Sequence, residues 1–182
     1  MTWQYKNELG LHLRVESSMT EAGQTNYSAD YIPRMKDGHD TIYALCGANR
    51  SQLENSPYME ALKARGLEVA FFVDNGDEFV LDALHTVEEK TITLADRDDI
   101  KLNDIEQEWE SLSDEEKTGL EEWLKEALGD RFEKISLSGR LVSSPALVTQ
   151  NAHAPSAQIR EYMKAMGQEL PDIKPVLELN PR

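Results

Sequence analysis

Two short apolar runs constrain this chain more than anything else in it. Residues 41–47, "TIYALCG", and 67–73, "LEVAFFV", are apolar over most of their length, without the polar alternation of a half-exposed strand. Strands of that kind are buried on both faces, which is the habit of parallel sheets covered by helices. The segments around them carry the helix signals such a sheet needs. Ser28 opens a helix through Met35 that "KDG" stops. Ser56 is an N-cap, Pro57 follows at the first helical position, and Gly66 ends the helix after Arg65. "DNGD" turns into a helix from about Glu78 to Leu84, with Phe79, Val80, Ala83 and Leu84 at helical spacing. The order α-β-α-β-α over 28–93 predicts a small α/β subdomain with a parallel sheet.

The second half reads as α+β. Residues 94–112 are densely charged, and Leu102, Ile105, Trp109 and Leu112 recur at helical intervals, so a solvated linker helix is expected there, with a domain boundary near 94–104. Ser113 and Glu116 form a capping box, and Leu120, Trp123, Leu124, Ala127 and Leu128 give the following helix one apolar face before Gly129 ends it. "RFEKISL" and "ALVTQ" are strands, Pro155 opens a helix to Met166 closed by Gly167, and "KPVLELN" is a final strand. The sheet over 113–182 is expected to be small and mixed or antiparallel. Two Ser-Pro pairs inside apolar sequence are punctuation only. Pro57 starts a helix, and Pro145 of "SSPALV" opens a strand, where its absent N–H is tolerated.

Charge excludes several partners. Thirty-four acidic against 19 basic side chains leave a net charge of −15, a field that repels phosphate backbones and anionic lipid, so no nucleic acid and no membrane surface is an expected partner. No signal segment opens the chain, and no apolar run approaches the roughly 20 residues of a membrane span. The single cysteine, Cys46, forms no internal disulfide and is expected as a small buried hydrophobe. A cytoplasmic location follows as the expectation.

Catalytic signatures are missing. Neither G-x-G-x-x-G nor G-x-x-x-x-G-K-[ST] occurs, so the sheet lacks the usual means of holding a nucleotide. "DNGDE" lacks the ligand spacing and distal glutamate of a calcium loop. His12, His39, His85 and His153 have no i, i+4 partner, and no metal site is expected. The acidic group at 114–116 suits a helix start, where the helix dipole favours it without any catalysis.

One helix is unusual in composition. In "PSAQIREYMKAM", residues 155–166, Ile159, Tyr162, Met163 and Met166 form one stripe. Spacing alone makes it a core-facing stripe, yet two methionines and a tyrosine also suit an adaptable surface for varied apolar partners.

Four stretches in order resemble the ninety-kilodalton heat-shock (heat-shock protein 90) chaperone family, in its bacterial high-temperature protein G-like form. They are "YIPRMKDGHDTIYALCG" (31–47), "ENSPYMEALKARGLEVAFFVDNGDEFVLDAL" (54–84), "LGDRFEKISLSGRLVSSPALV" (128–148) and "MKAMGQELPDIKPVLELNP" (163–181), and the likeness spans roughly 14–182. The resemblance implies that 28–93 is the end of the family's middle domain and that 113–182 begins its C-terminal domain, joined by 94–112. Residues 1–13 are only loosely family-like, and residues 1–27 are expected to be loosely ordered. It further implies binding of unfolded or partly folded client polypeptides through Glu78, Phe79 and Asp82 and through Ile159, Tyr162, Met163 and Met166. The seventy-kilodalton chaperone system is an implied partner. ATP and magnesium belong to a separate domain whose motifs do not occur in this chain, so this chain is expected to bind no cofactor and not to be an enzyme. The family's dimer helices follow the last residues matched, and the expectation is a truncated or rearranged gene product or a fragment, either monomeric or adventitiously dimeric through the apolar stripe. Two departures stand out. Phe79 replaces a tryptophan usual in the bacterial pattern, and Pro33 falls inside a helix, where it would cost about 3 kcal/mol or a kink. The alternatives are an inactive structural remnant, whose stripe packs on its own sheet, and a small hydrolase or transferase built on carboxylates that no motif reveals.

Overall fold

In the computed structural model, residues 8, 10–74, 76–98, 100, 102, 112–138, 140–151, 154, 157–168 and 173–180 are described. The chain divides into two compact units, Met1–Ala95 and Asp96–Arg182.

The first unit runs β1 (Arg14–Ser17), β2 (Asn26–Tyr27), α1 (Ser28–Tyr31), a 3-10 turn (Ile32–Arg34), β3 (Thr41–Cys46), α2 (Arg50–Glu54), α3 (Tyr58–Ala64), β4 (Val69–Phe72), α4 (Asp77–Leu84), β5 (Thr86–Val87) and β6 (Lys90–Leu94). Its sheet has the order β2-β1-β4-β3-β6-β5. The two apolar runs sit at the centre, as β3 and β4, parallel and in register from Tyr43 opposite Val69 to Cys46 opposite Phe72. β6 is also parallel to β3, whereas β1 and β5 pair antiparallel with β4 and β6. The sheet is therefore mixed, with a parallel centre and antiparallel margins. Residues 14–17 and 26–27, from the segment expected to be loosely ordered, supply β1 and β2.

Both faces of the central strands are buried. Ile42 and Ala44 of β3 and Ala70 and Phe72 of β4 pack with Val15, Tyr31, Leu81 and Val87, and half-buried Cys46 joins that cluster. The alternate residues, Tyr43, Leu45, Val69 and Phe71, are buried as well, as period-2 strands covered on both sides require. The helix predicted over 28–35 breaks after Tyr31 into the 3-10 turn, and Pro33 lies in the first positions of that turn. There its missing N–H costs little, so the clash expected of a mid-helix proline does not arise. Ser56 Oγ accepts the backbone N–H of Tyr58 at 3.3 Å, and Gly66 ends α3 at φ +61°.

The second unit contains α5 (Asp114–Leu128), a 3-10 turn (Gly129–Arg131), β7 (Lys134–Leu137), β8 (Ala146–Thr149), α6 (Ala157–Ala165) and β9 (Val176–Leu179). β9 is central, parallel to β7 and antiparallel to β8. The capping box of α5 forms as read. Ser113 Oγ accepts the Glu116 N–H at 3.3 Å, and the Ser113 N–H donates to Glu116 Oε2 at 2.8 Å. Its apolar face is only half-buried at Leu120, Leu124 and Leu128. The linker helix expected over 94–112 lies mostly outside the described residues. Its described beginning runs beside the end of β8, where Gln150 N–H donates to Asp96 O at 2.9 Å and Asp98 N–H to Gln150 O at 3.0 Å.

Candidate functional site

The two groups of site residues read from the sequence fall on α6 and α4, in different units. α6 ends in a Schellman motif. Gln168 N–H donates to Met163 O at 2.9 Å and Gly167 N–H to Lys164 O at 3.0 Å, with Gly167 at φ +71°. Met166 still donates helically to Tyr162 O at 3.0 Å, so the stripe continues one residue beyond the helix proper. At about 100° per residue, Ile159, Tyr162, Met163 and Met166 occupy about 100° of arc. Tyr162 and Met166 are 55% and 57% exposed, whereas Ile159 and Met163 are half-buried. The helix is tied to the end of β8 by Arg160, whose Nη1 donates to Gln150 Oε1 at 2.9 Å.

On α4, the core takes Glu78, Leu81 and Leu84. The outer side shows Phe79, Val80, Asp82 and Ala83 to solvent, with Phe79 44% exposed. Of the four apolar residues at helical spacing, Phe79, Val80 and Ala83 are exposed, whereas Leu84 is buried and Leu81 joins it in the core. Of the three site residues read on this helix, Phe79 and Asp82 share the outer side and Glu78 is buried beneath it. Val80, which the sequence reading did not assign to the site, extends the exposed apolar surface. Asp77 shapes the turn before the helix by accepting the Asp74 N–H at 3.0 Å, and burial raises its carboxyl above the ordinary value.

Each unit also contains a charge pair with a buried carboxylate that the sequence did not reveal. In the first, Glu68 of the "LEVAFFV" run is buried. It accepts from Arg34 Nη2 at 2.7 Å and Nε at 3.0 Å, and from Ser17 Oγ at 2.5 Å. Tyr31, whose hydroxyl donates to Glu68 O, has its pKa raised, chiefly by burial. In the second unit Glu178 of β9 accepts from Arg140 Nε at 2.7 Å, from Arg140 Nη2, and from Thr149 Oγ1 at 3.2 Å. Burial opposes the charge on Glu178, but hydrogen bonds from Arg140, Ser138 and Thr149 hold its pKa below the ordinary value. Nearby Asp96 has its pKa raised by burial against the pull of Arg97, Arg140 and Arg160, and its Oδ1 is buried without a hydrogen-bond partner. The other named groups in these clusters have hydrogen-bond or ion-pair partners within their own unit. Among the described residues no three His, Cys, Asp or Glu side chains gather as a metal site, and no helix is long and apolar enough to cross a membrane. What the geometry does offer at the residues read from the sequence is two small apolar surfaces on helices, each beside charged residues.

Comparison with known proteins identifies the family. The model of the family described as "Hsp90 protein" matches residues 2–182. Among similar proteins, "Chaperone protein HtpG" of Streptomyces coelicolor is 38% identical over 169 residues, covering 91% of this chain and 26% of its own length. The protein of the same name from Desulfitobacterium hafniense is 34% identical over 182 residues, covering 98% of this chain and 29% of its own length. That of Salinispora tropica is 37% identical over 174 residues, covering 93% and 27% respectively. The chain thus spans between 26% and 29% of the length of these relatives.

Proposed function

This chain belongs to the Hsp90 protein family, and from that premise we propose that it is a client-contacting part of a molecular chaperone. Its clients are unfolded or partly folded polypeptides in the cytoplasm, held through the exposed side of α6 and the outer side of α4. ATP binding and hydrolysis, and the hand-over from a seventy-kilodalton chaperone, belong on this reading to the longer protein and not to the residues here. The observation that carries it is the exposure of Tyr162 and Met166, 55% and 57%, one turn apart at the end of a capped helix. Fully burying a side chain of that size is worth about 1.5–3 kcal/mol. Association costs at least about 4 kcal/mol in lost freedom, so a contact of a few such side chains is weak and exchanges readily. A flexible thioether suits clients of varied shape, and the acidic surface favours clients with basic segments.

The test is suppression of the heat aggregation of malate dehydrogenase by this chain without ATP. Tyr162→Asp with Met166→Asp should abolish suppression and leave the far-ultraviolet circular dichroism unchanged. Unchanged suppression by the folded double variant would sink the proposal. A second reading is favoured by the half-burial of Ile159 and Met163, which makes the stripe partly an internal support. On that reading the chain has no activity alone, the wild type does not suppress aggregation, and Met163→Asp unfolds the second unit.

A further inference from the structure

A separate surface lies on α5, and nothing in the client-contacting reading uses it. Trp123 is 62% exposed there, a large apolar area to leave in water. Successive residues of a helix are turned by about 100°, which arranges the fifteen residues of α5 into two unlike sides. Half-buried Lys117, Leu120, Glu121, Leu124 and Leu128 make one. The other, about 140° wide, holds the exposed residues Glu115, Glu116, Gly119, Glu122, Trp123, Glu126 and Ala127. Glu116 closes the capping box with Ser113. Glu115, Glu122 and Glu126 form a row along one flank of the indole, at i−8, i−1 and i+3. Both lysines of the helix, Lys117 and Lys125, lie more than about 100° round from Trp123. One turn before Trp123 stands Gly119, with open space where a side chain would be, and one turn after stands Ala127. The indole is therefore unscreened along the helix, with the row of three carboxylates on one flank and Glu116, held by the cap, about two turns away on the other.

We propose that this side of α5 docks a basic segment of a partner protein, an arginine or lysine side chain lying over Trp123 with its charge toward Glu115, Glu122 and Glu126. Tryptophan is the best of the aromatic faces for a cation, and neighbouring carboxylates supply the charge complementarity that steers and orients it. A second copy of this chain is a poor occupant, since its own net charge is −15 and like charges would meet. The small residues on either side of the indole leave room for a backbone to approach, which suits an extended peptide.

The probe is an acetylated, amidated heptapeptide alternating arginine and alanine, with a glutamate-for-arginine peptide as control, titrated against the full chain by calorimetry at two salt concentrations. Saturable binding is expected for the arginine peptide alone, weakening at higher salt. Trp123→Ala, at an exposed position, should lower the affinity about tenfold with unchanged circular dichroism, Trp123→Phe should retain part of it, and Glu122→Gln with Glu126→Gln should lower it severalfold. Equal affinity in Trp123→Ala would reduce the effect to diffuse acidity and overturn the proposal. So would binding of neither peptide, or self-association of the chain that Trp123→Ala abolishes.

Discussion

The two units solve the same problem with different means. In Met1–Ala95 the central strands are covered on both sides, and most of the buried apolar side chains among the described residues belong to this unit. Its charge pair, Arg34 with Glu68, sits at the margin, with the arginine side chain 34% exposed. In Asp96–Arg182 a three-stranded sheet carries a shorter apolar list, and the pair Arg140 with Glu178 is buried at both ends. The difference teaches that a small sheet covered sparsely by helices relies on polar groups that satisfy each other. A well-covered sheet can treat its ion pair as an accessory. A buried pair need not add stability over an apolar substitute, but losing one partner is costly because the other is left charged in a poor solvent.

That comparison can be broken most directly at Arg140. Arg140→Met leaves Glu178 buried and unpaired, and should cost the second unit about 3–5 kcal/mol. Peptide-resolved hydrogen exchange would show protection lost over 134–149 and 176–179 and retained over 41–46 and 69–72. Equal loss in both units would refute the separation of their supports. Leu62→Ala empties a fully buried position in α3 and should cost about 3 kcal/mol, read by the same exchange experiment as a loss confined to the first unit. Arg34→Met should cost clearly less than Arg140→Met, about 1–2 kcal/mol, because water already reaches the exposed guanidinium of Arg34 and can take its place. Similar costs at the two arginines would erase the distinction.

Acid sharpens the contrast further, with the smallest effects. Glu178 has a folded pKa below its unfolded value, near 4.3 for a free glutamate. The stability it contributes is present above that value and lost as pH falls through the lowered folded one. Asp96 works in the opposite sense. Its raised folded pKa is a cost at neutral pH that disappears once the group is protonated in both states. Asp96→Asn should therefore raise the stability of the second unit slightly at pH 7 and give no gain below the ordinary carboxylate range. Urea unfolding at the two pH values measures it, and a loss of stability at pH 7 would show that the arginines around Asp96 need its charge.

How much of this was legible depends on how local the cause was. β3 and β4 announce themselves because burial on both faces removes polar residues from a continuous run. The caps at Ser56 and Ser113 are visible because their partners stand within three residues. The hairpin of β5 and β6 was not read. Its turn places Glu88 and Glu89 at φ 46° and 63°, conformations normally signalled by asparagine or glycine. The inward face of α4 was not legible, because an eight-residue helix with apolar residues on two sides offers two faces to the core, and only the packing chose Leu81 and Leu84. Glu68 and Glu178 were invisible as ion pairs, since each partner lies more than thirty residues away in sequence. The stripe on α6 was legible as a pattern, but its division into two exposed and two half-buried residues was not, since spacing alone does not say which residues the rest of the unit covers.

The margins of the first sheet have a further consequence. Its outermost strands, β2 and β5, are two residues each, so few backbone donors and acceptors are presented at either border. An extended foreign chain seeking to add itself as another strand finds almost no ladder to extend. On the client-contacting reading proposed above, so short a border would let the chain meet unfolded polypeptides without being extended by them, and would leave the contact to side chains.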